Sequence, residues 1–307
     1  MTATAMPTAA AEPLPLRRPT VGTRISRLVL PVFTGVAVVY LFLPIAVMIA
    51  FSFNDPAGRQ NITWQGFTLR NYVDLWGRPD ITGPMVNSLI VAVVATLIST
   101  VLGTLIGMAL TRYDFRGRTG LNLLIFIPMA TPEIIMGASL LSLFVSAGTG
   151  LGPVTITIAH VMFSISFVAV VVRSRVLTLD RSIEEAAYDL GATAWTTFWK
   201  VTFPMILPGI MAAALLAFSL SIDDYVITAF TAGRTSTFPI FIWGSARVGV
   251  PVQVNVIGTA FFLIAVGFVA LTTILGSRAR RPLPPPTLGD ERLEREPART
   301  TLAEVEA

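Results

Sequence analysis

Five side chains that lie in or beside long apolar runs have the chemistry needed to bind a cation. They are three carboxylates and two aromatic rings: Asp223, Asp224, Glu133, Tyr225 and Trp243. Carboxylates attract positive charge directly, and the face of an aromatic ring attracts it through cation–π contact. An ionisable side chain within a membrane-spanning segment is costly, so it is a functional candidate by default.

Each of these acidic residues also has a structural explanation. Glu133 follows Pro132, so its carboxylate can offset the dipole of a helix that begins there. We leave that interpretation and the cation-binding one open. The pair Asp223-Asp224 can cap a helix at the outer surface of a membrane, but we favour a place on the path of a cation. Because neighbouring residues on a helix point about 100° apart, only one of the two carboxylates can face that path unless the helix breaks there.

A second polar group forms the segment EEAAYDLGATAWTTFWKVTFP, at residues 184–204. The pattern Ser182-x-x-Glu185 predicts a capping box at the start of a helix. An apolar stripe with the spacing i, i+3, i+4 and i+7 then runs along that helix. Its members are Ile183, Ala186, Ala187 and Leu190. Gly191 predicts that the helix ends there in a left-handed conformation.

A second short helix is predicted directly after this glycine. Thr193 can cap it, and Pro204 begins the next apolar segment. Its stripe consists of Trp195, Phe198, Trp199 and Thr202, and the small residues at the joint are Ala186, Ala187, Gly191 and Ala192. The segment is either an amphipathic loop at the membrane interface or a docking element for a cytoplasmic partner. The small residues allow another molecule to approach closely, and both interpretations stay open at this point.

The elements that position these residues are predicted to be membrane-spanning helices. The chain is 53% apolar and 13% charged, whereas a soluble domain is about a quarter charged. A helix needs about 20 apolar residues to cross a bilayer. We predict an all-α polytopic membrane protein with six spans, near 28–53, 87–111, 121–146, 153–175, 205–231 and 255–277.

The distribution of Lys and Arg predicts the orientation of these spans. Of the 22 Lys and Arg residues, five fall on one side and the other 17 on the side of both termini and of the loops near 112–120 and 173–204. We therefore expect both termini in the cytoplasm. The net charge of +4 follows from this bias and from the tails, so it predicts no nucleic-acid partner. We expect disordered tails at 1–24 and 279–307 around a transmembrane domain at 25–278.

The polar segment resembles the EAA loop of importer-type ABC transporter permeases. That pattern is Glu-Ala-Ala, three residues, Gly, nine residues, and then Ile-x-Leu-Pro. The matching positions are Glu185, Ala186, Ala187, Gly191 and Pro204. Val201 and Phe203 replace the usual Ile and Leu, and both are apolar. The likeness extends from about Pro84 to Leu275 and includes a coupling loop at 178–204.

This resemblance implies the fold of a type I ABC importer permease and a set of partners. The loop would be the coupling helix that sits in a groove of an ATP-hydrolysing subunit. Its contact residues would be Glu185, Ala186, Ala187, Gly191, Ala192, Trp195 and Phe198. The chain has no G-x-x-x-x-G-K-[ST] phosphate loop, so we expect ATP hydrolysis in a partner and no enzyme activity or cofactor in this chain. It has no cysteine for a thiolate metal site, and we expect no metal site. A cytoplasmic ATPase dimer would bind the ATP and Mg²⁺. The other expected partners are a second homologous permease subunit, an extracytoplasmic binding protein and the lipid of a bacterial inner membrane.

Three further stretches are similar to a narrower group, the spermidine/putrescine permeases, and within it to the second permease subunit. They are IPMATPEIIMGASLL, SIDDYVITAF and FPIFIWGSARVGV. The implied solute is a polyamine, a flexible polycation that carboxylates and aromatic faces can guide. Transporters for other amines, phosphonates and opines share much of this pattern, so the solute stays open.

Two other classes of protein compete with this interpretation. An intramembrane protease can use a serine and a histidine, as in Gly137-Ala138-Ser139 with His160, but Leu140 occupies the position where its motif requires glycine. A secondary carrier often contains internal repeats, and we find none. For His160 itself, a hydrogen-bonded contact between helices is favoured over a proton relay.

Overall fold

The computed structural model describes residues 21–58 and 60–279. The predicted tails at 1–24 and 279–307 lie outside this range except for residues 21–24 and Ala279, which are helical. By internal contacts the chain divides into two compact units, the first ending at Val256 and the second beginning at Ile257.

The described residues form helices joined by short connections. The helices are α1 (Val21–Ser52), α2 (Arg70–Asp74), α3 (Pro79–Arg112), α4 (Arg118–Ala130), α5 (Glu133–Ser146), α6 (Pro153–Leu177), α7 (Ser182–Asp189), α8 (Ala194–Thr197), α9 (Phe203–Ile222), α10 (Val226–Thr231), α11 (Phe238–Val248) and α12 (Val252–Ala279). Within the described ranges the β structure amounts to an isolated bridge between Asn54 and Phe67. The predicted all-α class is confirmed.

Four helical stretches are long and apolar enough to cross a membrane. They are Val29–Ser52, Pro79–Arg112, Pro153–Leu177 and Ala194–Ile222. A fifth candidate is the bent pair of α4 and α5, and Val252–Gly267 is a shorter apolar helix. Because only a helix or a closed barrel satisfies its own backbone groups in lipid, these helices identify a polytopic membrane protein.

Two of the predicted spans have the wrong shape. The helix predicted over 121–146 is two helices that meet at an angle of 109°. The residue before a proline is pushed out of the α region, and Thr131, which precedes Pro132, is extended with φ −82° and ψ 130°. The helix predicted over 205–231 begins earlier, at Ala194, and ends at Ile222. The remainder of that stretch belongs to the separate helix α10.

The core of the first unit is the packing of α3, α6 and α9. The buried face of α3 carries small residues at a spacing of three or four: Ala92, Ala95, Ser99, Gly103 and Gly107. A Cβ atom added to Gly103 would lie 2.7 Å from the Val168 side chain, and one on Gly107 would lie 2.8 Å from the Ala169 carbonyl oxygen. Small residues at these positions therefore let α3 and α6 approach closely, as membrane helices commonly do.

The outer surface of these helices is apolar. In α1, no residue of the most apolar stretch of 18 residues is buried against other described parts of the chain. Exposed apolar surface of this extent marks contact with lipid or with another protein.

Candidate functional site

The polar segment begins with α7, but the predicted capping box is absent. The helix starts at Ser182, and the residue before it, Arg181, already has αR geometry. The Ser182 N–H donates instead to Oδ1 of Asp180, at 2.9 Å. This backbone hydrogen bond from Ser182 holds the pKa of the Asp180 carboxyl below its usual value. A side chain two residues before Ser182 therefore serves the start of the helix.

The joint after α7 has the predicted geometry. Gly191 has φ +82°, in the left-handed region that favours glycine. Its N–H donates to the Tyr188 carbonyl at 2.9 Å, and the Ala192 N–H donates to the Ala187 carbonyl at 3.0 Å. Thr193 is extended and its side chain accepts from the Thr196 N–H at 3.3 Å. The left-handed glycine and the threonine cap are both confirmed.

The second short helix is not a separate element, contrary to the prediction. One turn of α helix, Ala194–Thr197, continues through a π-helical turn, Phe198–Thr202, into α9. Pro204 lies in the first turn of α9. A proline has no N–H for the regular i→i−4 bond, and a local π turn accommodates the interrupted ladder. The end of the loop is therefore continuous with a membrane-spanning helix.

The predicted contact residues of this segment lie at its surface. Trp195 is 72% exposed, and Glu185, Ala186 and Gly191 are exposed as well. Three of them are half-buried: Ala187, Ala192 and Phe198. The segment thus presents a compact surface of small and aromatic side chains.

Aromatic contacts stiffen the beginning of the long helix behind that surface. The ring of Trp199 lies 5.6 Å from that of Trp195 and 5.0 Å from that of Phe198. It also lies 5.0 Å from the ring of Phe203. These aromatic contacts stabilise the π turn, because they link it to the residues just before and just after it.

A further residue of this segment, Glu184, was not among the predicted site residues. Its Oε1 accepts from Nη2 of Arg112 at 3.0 Å and from Oγ1 of Thr202 at 2.8 Å. The three side chains line a cleft of about 290 Å³ together with Arg181 and Tyr188. No local signal in the sequence pairs Glu184 with Arg112, because 72 positions separate them.

The predicted pair of carboxylates lies at a break between two helices. Asp223 follows the last residue of α9 and is exposed. Asp224 caps α10: its Oδ2 accepts from the backbone N–H and from Oγ1 of Thr228, at 2.8 and 2.7 Å. Because the helix breaks here, the two side chains have different surroundings. Asp224 is bound within the protein, and Asp223 is accessible.

His160 connects α6 to this break. Its Nδ1 lies 2.6 Å from Oγ of Ser221, and its Nε2 lies 2.9 Å from Oγ1 of Thr228. The predicted hydrogen-bonded contact between helices is confirmed. Both ring nitrogens are engaged by hydroxyl groups of α9 and α10, and Ser139 is not among their partners.

The two predicted aromatic residues form a pair. The rings of Tyr225 and Trp243 stack with centroids 4.9 Å apart, and both line a cleft of about 450 Å³. Arg234 and Arg247 line the same cleft, so it carries positive charge and does not by itself attract a cation. Glu133 is exposed in the first turn of α5 and is not part of this cleft. The structure therefore groups four of the five residues in two neighbouring places and leaves Glu133 apart.

Within the described residues, the chain is thus a polytopic membrane protein with a bent pair of apolar helices, an exposed loop with a left-handed glycine, and a helix break at the Asp pair. Residues 99–281 match the family described as "Binding-protein-dependent transport system inner membrane component". The chain belongs to this family. Membership excludes the protease and carrier alternatives.

The chain is also similar to individual permease proteins whose transport systems are named. The chain is 39% identical to the putrescine transport system permease protein PotI of Escherichia coli (strain K12), over 75% of this chain and 84% of that protein. It is 34% identical to the spermidine/putrescine transport system permease protein PotC of the same organism, over 82% of this chain and 95% of that protein. The corresponding PotC of Haemophilus influenzae is 33% identical, with coverages of 79% and 94%.

Solved structures agree on the fold. A bacterial ABC transporter that imports the acidic polysaccharide alginate has a TM-score of 0.59 at 17% identity, with 84% of this chain and 98% of that chain covered. The MetNI methionine ABC transporter in an inward-facing conformation has a TM-score of 0.53 at 19% identity, with coverages of 65% and 95%. The predicted type I ABC importer permease fold is confirmed.

Proposed function

We propose that this chain is a permease subunit that carries polyamines across a bacterial inner membrane. The observation that carries the proposal is the 39% identity to a putrescine permease over 84% of its length. A second homologous permease subunit encloses the path with this one. A cytoplasmic ATPase dimer binds ATP and Mg²⁺, and an extracytoplasmic binding protein delivers the solute.

The exposed surface of α7 and α8 supports a docking role in this assembly. The short helix α7 exposes Glu185 and Ala186, and after the left-handed Gly191 the turn α8 exposes Trp195. The continuity of α8, the π turn and α9 gives a docked ATPase a direct mechanical connection to the membrane. ATP binding then closes the ATPase pair, draws the coupling loops together and opens the path outward. Hydrolysis resets it.

An extracytoplasmic delivery protein is supported by a solved neighbour. The bacterial alginate ABC transporter in complex with an alginate pentasaccharide-bound periplasmic protein has a TM-score of 0.57 and covers 82% of this chain. In our proposal both termini and the segment 178–204 face the cytoplasm, so the Asp223–Trp243 region faces the delivery protein. There Asp223 offers an accessible carboxylate to an arriving polycation.

Uptake by whole cells tests this function. Cells that lack this subunit are compared with the same cells complemented by it, using radiolabelled putrescine and spermidine. We expect uptake to depend on the subunit, and excess unlabelled polyamine to compete. Unchanged polyamine uptake, with a loss of phosphonate or opine uptake instead, would assign another solute to the same machinery.

A further inference from the structure

The position of α7 depends on a polar contact rather than on apolar burial. None of the eight residues of α7 is buried, and its apolar Ile183 is 43% exposed. Apolar packing therefore contributes little to fixing this helix. The carboxylate of Glu184 provides the firmer attachment, because its two donors belong to two different membrane-spanning helical stretches.

The geometry of this attachment is that of a strong contact. The side chains of Arg112 and Glu184 are 12% and 21% exposed, and Thr202 is 5% exposed. A partly buried, charge-assisted hydrogen bond is stronger than a neutral one and less screened than a surface ion pair. A second contact, from Nη2 of Arg181 to the Thr111 carbonyl, is long at 3.5 Å and correspondingly weak.

The two donors, Arg112 and Thr202, lie at the ends of helices that continue into the membrane-spanning core. Arg112 is the last residue of α3, which packs closely on α6 through Gly103 and Gly107. Thr202 is the last residue of the π turn that leads into α9. One carboxylate oxygen thus holds α7 to the ends of two of the three core helices.

We infer that Glu184 is the positioning residue through which a displacement of α7 moves α3 and α9 together. The neighbouring Glu185, which carries the EAA pattern, makes no side-chain hydrogen bond or ion pair within the described residues and is exposed, as a docking contact would be. The inference rests on the proposed function, because it requires an ATPase that displaces α7. The two adjacent glutamates then have different roles: Glu184 transmits the displacement of α7, and Glu185 contacts the ATPase.

The test separates transmission from docking in the assembled complex. The variants are Glu184→Ala, which removes both bonds, Glu184→Gln, which keeps a neutral acceptor, and Thr202→Val, which removes one donor. Asp189→Ala is the matched control, because it removes an exposed carboxylate from the same helix. The natural chain has no cysteine, so spin labels are attached directly at Ser182→Cys on α7 and Leu105→Cys on α3.

Three quantities are measured: ATPase recovered with the permease, ATP hydrolysis stimulated by loaded binding protein, and the distance between the labels with and without ATP. We expect Glu184→Ala to retain the ATPase but to lose stimulated hydrolysis by about tenfold, within the range typical of coupling between sites. We expect ATP to change the label distance in Glu184→Ala, because α7 then moves without α3. In the labelled protein that retains Glu184, the two helices should move together and the distance should stay constant. Glu184→Gln and Thr202→Val should be intermediate, and Asp189→Ala unaffected.

Each contrary outcome points to a different failure. A label distance that does not respond to ATP in Glu184→Ala overturns the transmission role, whether or not hydrolysis is reduced, because α7 and α3 then move together without Glu184. Loss of the ATPase from Glu184→Ala but not from Asp189→Ala makes Glu184 a docking contact and also overturns it. If the natural sequence recovers no ATPase, the proposed function itself fails. If the ATPase is recovered but polyamine-loaded binding protein gives no stimulation, only the solute assignment fails, and the label distances still decide the inference.

Discussion

Oδ2 of Asp224 lies 3.3 Å from Nε2 of His160, and the two side chains are 7% and 4% exposed. This contact joins α6 to the break between α9 and α10. Asp224 also caps α10 through Thr228, whereas the adjacent Asp223 is exposed. Two neighbouring carboxylates thus have separate environments, and separate roles are expected of them.

Replacement of each aspartate by asparagine should have a different effect. Asp224→Asn places an amide against donors that need an acceptor, and an unsatisfied buried polar group costs roughly 1–3 kcal/mol. We expect less complex in membranes and a lower melting temperature in detergent. Asp223→Asn should leave recovery unchanged and lower polyamine uptake per recovered complex. Unchanged normalised uptake in both variants would leave the two residues as structural caps.

Gly191→Val should weaken docking of the ATPase. A residue with a Cβ in the left-handed region costs about 1–2 kcal/mol, and Gly191 has φ +82°. No atom lies within 4 Å of the added Cβ, so the effect comes from the backbone and not from a clash. The control is Gly120→Val, at an exposed glycine of α4 with equally open surroundings. Full ATPase recovery and full coupled hydrolysis in Gly191→Val would contradict the docking role.

Gly103→Val should destabilise the membrane domain. Its Cβ would lie 2.7 Å from Val168 and 3.0 Å from the Ile165 carbonyl oxygen, so α3 and α6 must separate. Overpacking of this kind costs about 1–3 kcal/mol, which thermal unfolding in detergent would show as a lower midpoint. Gly35→Val in α1 has nothing within 4 Å and should leave the midpoint in place. Equal midpoints for the two variants would show that α3 and α6 do not depend on close approach.

Single cysteines should report opposite sides of the membrane. Leu190 is 89% exposed next to the loop glycine, and Ala246 is exposed in α11. A membrane-impermeant maleimide should label Ala246→Cys in intact cells and Leu190→Cys only after the membrane is opened. Labelling of both from outside would overturn the proposed orientation, and with it the cytoplasmic partner of α7.

Several local features of this protein were accessible from the sequence, although the capping box and the separate second short helix predicted in the polar segment were wrong. Membrane spans follow from hydropathy, since a backbone in lipid must satisfy its own polar groups within each helix. The left-handed Gly191 and the cap at Thr193 follow from the preferences of single residues, which act over one helical turn. The EAA pattern likewise lies within one short segment of the chain, so its spacing was enough to indicate the family.

Tertiary structure decided the features that depend on distant residues. The 109° bend after α4 is signalled by Pro132, but its angle is set by how α4 and α5 pack on other helices. Asp224 rather than Asp223 is the bound carboxylate because α6 brings His160 to that side of the break. Glu184 meets Arg112 across 72 positions, and no periodicity within one helix encodes such a pair. Hydropathy and turn preferences act along the chain, whereas the choice between two adjacent carboxylates is made by the helix that happens to pack against one of them.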